Sequence, residues 1–85
     1  MSQREFQRMS EGADAVLLFL ADSSVVHGDA EIAGALSFAL ARQVARKAVN
    51  EGMTEEGFER SMPETMDTIS LMIRREYALK KEKHP

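Results

Sequence analysis

The chain contains no cysteine among its 85 residues. Disulfides and thiolate metal sites are therefore excluded, and the composition agrees with a reducing compartment. Histidine is scarce as well, with only His27 and His84 present. His27 stands near Asp29 and Glu31, but that spacing matches no metal template, and Asp29 reads more simply as a helix cap. No glycine-rich segment has the form that cradles phosphates. No serine lies in a nucleophile elbow or beside a histidine. The sequence thus implies no catalytic residue, no metal and no cofactor, and the expectation is a protein that is not an enzyme.

Long apolar runs are missing too. Residues 15–21 form the longest, and residues 32–41 the next, interrupted by Gly34 and Ser37. Both fall far short of the ~20 residues that span a bilayer. Residues 1–9 are polar and amphipathic, without the apolar core of a targeting segment. These features point to a soluble cytoplasmic protein with no membrane partner. The net charge of −3 gives no general attraction to nucleic acid or anionic lipid. Charge is unevenly placed, however. Glu51, Glu55, Glu56, Glu59, Glu64 and Asp67 make one stretch acidic, and Arg74, Arg75, Lys80, Lys81 and Lys83 make the C-terminus basic.

Helical periodicity dominates what is present. Ser2 with Glu5 has the form of a capping box. Phe6, Met9, Ala13, Val16, Leu17 and Leu20 then share one face of a 3.6-residue repeat, giving a helix over about 3–22 that Gly12 interrupts. Asp29 caps a second helix over about 30–51, closed by Gly52 as the left-handed residue that follows a helix end. Thr54 starts a short helix at about 55–61. Ser61-Met62-Pro63-Glu64 reads as a fresh start, with serine capping and proline in the first turn. A third main helix over about 63–81 carries the stripe Met62, Met66, Ile69, Met72, Ile73 and Tyr77. No segment has the alternation of a strand. The fold expected is an all-α bundle of three main helices and one short helix. A single domain covers residues 1–79, and residues 80–85 form a basic, disordered tail.

Such a chain owns more apolar surface than it readily hides. Domains of this size bury only about 60–65% of their unfolded surface, and here neither disulfide nor metal makes up the difference. Leu18 and Phe19 lie off the main stripe of the first helix. The second helix is apolar on nearly every side between Ile32 and Ala41, and an all-round apolar helix must be buried. On one side of it Gly34, Phe38, Ala41, Ala45 and Ala48 recur, with Ser37 alongside, and small residues at that spacing allow another helix to approach closely. The candidate interface is Leu18, Phe19, Gly34, Ser37, Phe38, Ala41, Ala45 and Ala48. A protein partner, or a second copy in a symmetric homodimer, is the expected means of covering it.

The segment from Thr54 to Arg75 resembles the helix-turn-helix of phage-type repressors, through the short helix with Phe58, the turn, and Thr68-Ile69-Ser70. The resemblance implies Ile69 buried between two helices and a DNA-associated role; the basic C-terminus, separately, would put Arg74, Arg75, Lys80 and Lys81 on the nucleic acid. The segment departs from that pattern at Glu59, where the family has alanine, and at Pro63, where it has glycine. Glu64 and Asp67 would also stand where the groove-entering helix begins, and phosphates repel carboxylates there. Nucleic acid is accordingly the alternative partner and a protein the expected one.

Overall fold

The computed structural model describes residues 2–83. It contains three helices, α1 (Gln3–Asp22), α2 (Gly28–Asn50) and α3 (Glu55–Lys83), and no strand among the described residues. The all-α class and the three main helices match the sequence reading. The chain divides into two compact units, one ending at Arg46 and the other beginning at Lys47.

The first unit is α1 followed by the greater part of α2. Ser2 caps α1 as expected, its hydroxyl accepting the Glu5 amide at 3.1 Å. The helix runs through Gly12 without a break. It ends where the Ser23 amide donates to the Leu20 carbonyl at 3.2 Å. In the connection, the Ser23 hydroxyl accepts the Val25 amide at 3.1 Å. At the start of α2, Asp29 does not cap the helix as expected but lies inside its first turn. The His27 amide donates to the Glu31 carboxylate at 3.0 Å, and the helix begins at Gly28, whose φ of +78° suits a residue without a Cβ.

The second unit holds the last turn of α2, a tight connection and α3. The end of α2 is a Schellman motif: the Gly52 amide donates to the Val49 carbonyl and the Met53 amide to the Ala48 carbonyl, both at 3.0 Å. Gly52 has φ +70°, the left-handed conformation anticipated from its position. Thr54 caps the next helix through its hydroxyl, which accepts the Gly57 amide at 3.0 Å.

The short helix at 55–61 and the main helix from 63 prove to be one helix, with Pro63 inside it. The expected cap at Ser61 does not form because its hydroxyl donates backwards to the Phe58 carbonyl at 2.7 Å. Thr65 likewise donates to the Ser61 carbonyl at 3.1 Å. Proline has no amide to give the carbonyl four residues earlier, and these back-bonding hydroxyls engage neighbouring carbonyls instead. Beyond Tyr77, α3 continues through Lys80, Lys81 and Lys83, residues assigned from the sequence to the disordered tail. Lysines in a last turn complement the negative end of the helix dipole, and Lys80 pairs with Glu76 at 3.3 Å. His84 and Pro85, the rest of that tail, lie outside the described residues.

Candidate interaction surface

Within the first unit, α1 and α2 form a helical hairpin. Ala15, Val16, Phe19 and Leu20 of α1 and Ala35, Leu36 and Ala39 of α2 line an open groove of about 400 Å³ whose walls are wholly apolar side chains. The two helices are joined by the five residues 23–27, a connection length typical of antiparallel helical hairpins. A second open hollow of about 490 Å³, lined by Ala15, Leu18, Phe19, Asp22, Ser23 and Ser24, lies at the C-terminal end of α1.

Very little of this unit is buried. Leu20, Ile32, Ala35, Leu36 and Val44 are half-buried. Phe6, Met9, Val16 and Leu17, four members of the periodic stripe of α1, are exposed. Leu18 and Phe19 are 66% and 74% exposed. Two adjacent aliphatic and aromatic side chains in water forgo several kcal/mol between them, since full burial of one such side chain is worth about 1.5–3 kcal/mol.

The predicted small-residue face of α2 is also open. Gly34, Ser37, Ala41 and Ala45 are exposed, and Phe38 is 66% exposed. A Cβ added at Gly34 would meet nothing within 4 Å. The fold of the chain therefore gives no packing reason for a glycine in mid-helix, where it costs about 1 kcal/mol relative to alanine. The Ser37 hydroxyl donates to the Ala33 carbonyl at 2.8 Å, so it makes no unmet polar demand on that face. Arg42 lies over the Phe38 ring, 5.7 Å from its centroid. Ala48 is separate from the others. It belongs to the second unit and is 9% exposed, the one buried hydrophobic residue among those described. Its place in the candidate interface is therefore taken by packing at the end of α2.

Residues 15, 35, 36 and 39, which line the groove, were not identifiable from the sequence as a group. Alanine fits either side of a helix, so periodicity alone does not orient it. The pairs Ala15/Phe19 and Ala35/Ala39 at four-residue spacing are the signal that marks them in retrospect.

In the second unit, Phe58, Met62, Thr65 and Ile69 are half-buried, whereas Met66, Leu71, Met72, Ile73 and Tyr77 are exposed. Arg74, Arg75, Lys80 and Lys81 are exposed along the end of α3. Lys81 lies 5.9 Å from the Tyr77 ring centroid. The turn that a helix-turn-helix needs is absent between Thr54 and Arg75, because α3 is continuous there. The charge gradient of α3 has a local cause. Acidic residues occupy its first turn and lysines its last, the arrangement that the helix dipole favours.

Comparison of the chain with protein-family models, curated proteins and solved structures gives no match. No helix among the described residues is long and apolar enough to cross a membrane.

Proposed function

We propose that this protein is a non-enzymatic interaction module that works through the apolar faces of its α1–α2 hairpin, with a second copy of the chain as its partner. One observation carries the reading: Leu18, Phe19 and Phe38 are each about two-thirds or more exposed, on segments that hold no charged residue from 15 to 21 or from 32 to 41. Three large side chains so placed are ordinary at a protein–protein contact and costly in water. Aromatic anchors of this kind supply much of the affinity of interfaces where they are fully desolvated. The module acts by occupancy and assembly: covering the hairpin brings chains together, and no bond is made or broken.

Light scattering, combined with an environment-sensitive apolar dye, tests this reading. The expected result is a mass of at least twice 9.5 kDa and little dye bound. The variant Leu18→Glu/Phe19→Glu is expected to have a lower mass and unchanged helicity by circular dichroism. A wild-type chain that is monomeric and binds no dye has no apolar surface to offer, and the proposal fails.

A further inference from the structure

We infer that two copies of the chain pair antiparallel along α2, across a twofold axis near Phe38, with Glu31 of each copy set against Arg42 and Arg46 of the other. The inference rests on the interaction-module reading and specifies the geometry of its contact. Three observations on the first unit converge on it.

The first is the face itself. Glu31, Gly34, Phe38, Ala41, Arg42 and Ala45 recur at spacings of three and four, so they form one side of α2. Within the chain, Arg42 lies over Phe38 and the Glu31 carboxylate accepts the His27 amide, but a Cβ at Gly34 would meet nothing within 4 Å, and Ala41 and Ala45 are exposed.

The second is charge. The connecting end of the hairpin carries Asp22, Asp29 and Glu31 and no lysine or arginine. The far end of α2 in this unit carries Arg42 and Arg46. Among the described residues none of these five forms an ion pair within the chain. Nor does the helix dipole explain the set. Glu31 and Asp29 suit the start of α2, but Asp22 stands in the last turn of α1, where no basic residue balances it and where the dipole is itself negative. The start of α1 carries both signs, Arg4 and Arg8 with Glu5 and Glu11, so the asymmetry belongs to α2: parallel α2 helices would set Glu31 against Glu31 and the arginines against arginines. An antiparallel pair brings each acidic end to a basic one, and such complementarity selects orientation.

The third is register. Glu31 precedes Phe38 by about 10 Å along the helix axis, and Arg42 and Arg46 follow it by about 6 and 12 Å at a rise of 1.5 Å per residue. A twofold axis at Phe38 therefore sets Glu31 between the partner's two arginines. The same axis sets Gly34 against Ala41 of the second copy. With Ala45 these are the small residues on one side of Phe38's row, and the meeting of Gly34 with Ala41 allows the helices to approach closely. The glycine, unexplained inside one chain, has a reason in the pair. In an isologous contact each such pairing occurs twice.

The absence of cysteine makes the register directly readable. Gly34→Cys and Ala41→Cys are made as separate full-length chains, and each is oxidised alone and then in a one-to-one mixture. The expected result is a disulfide-linked dimer from the mixture and almost none from either variant alone. Gly34→Leu, which leaves the helix intact by circular dichroism, is expected to weaken self-association at least tenfold in sedimentation. Linking of either variant with itself, or no linking in the mixture, overturns the antiparallel register. Wild-type mass then separates the two levels. A dimer that fails to link keeps the interaction module and loses this seam. A dye-binding monomer keeps an apolar surface for a different protein and loses self-pairing. A monomer that binds no dye loses both.

Discussion

Two glycines in regular surroundings show how differently the same residue is used. Gly52 sits at φ +70° and closes α2 through two backbone hydrogen bonds. A Cβ there meets no neighbour within 4 Å, so the cost of a side chain is purely conformational. Gly52→Ala should destabilise the fold by about 1–2 kcal/mol, the penalty for an L-residue in the left-handed region. Urea denaturation followed at 222 nm measures it. Gly34 has equal room around it but an ordinary helical backbone, so within one chain a larger side chain there should cost nothing. The distinction between a glycine required by φ and one required by a neighbour is thus open to measurement at two positions 18 residues apart.

Among the elements, α3 departs furthest from expectation. The existence of all three helices was legible in the sequence, because stripes such as Phe6-Met9-Ala13-Val16 and Met62-Met66-Ile69-Ile73 have the helical period, and Ser2, Gly52 and Thr54 mark ends by their chemistry. The continuity of α3 was not. Proline after serine and before glutamate reads as a helix start, and nothing in the residue types says whether the Ser61 hydroxyl will accept from an amide ahead or donate to a carbonyl behind. In the structure it donates, at 2.7 Å, and the helix passes through Pro63. Interior proline costs a helix about 3 kcal/mol. Pro63→Ala should therefore raise the melting temperature, with a gain of up to about 3 kcal/mol in calorimetry. If Pro63 instead stood in a first turn, the gain would be near zero. The candidate surface was partly legible by the same logic. Leu18 and Phe19 stand out because they lie off the main stripe of α1, and Phe38 because it recurs with small residues on one side of an almost wholly apolar stretch of α2. The alanines that line the groove do not stand out, since their small size suits every face.

For the whole molecule the governing fact is how little apolar surface is hidden. One hydrophobic residue is buried among those described, and large apolar side chains stand exposed in both units. The ion pairs that are present, Lys47–Glu51, Arg60–Glu56 and Lys80–Glu76, are all exposed and separated by four residues, each worth no more than about 0.5 kcal/mol. Stability must come chiefly from apolar contact, and a large share of that contact is proposed to lie between copies. Folding and association are then one equilibrium, and mass action makes apparent stability depend on concentration. The direct test is the melting temperature of the wild-type chain, measured by circular dichroism over a hundredfold range of concentration. A melting temperature that climbs steadily with concentration is predicted. One that stays constant across the range, with a sedimentation mass of 9.5 kDa throughout, would contradict the claim that a second copy covers the hairpin.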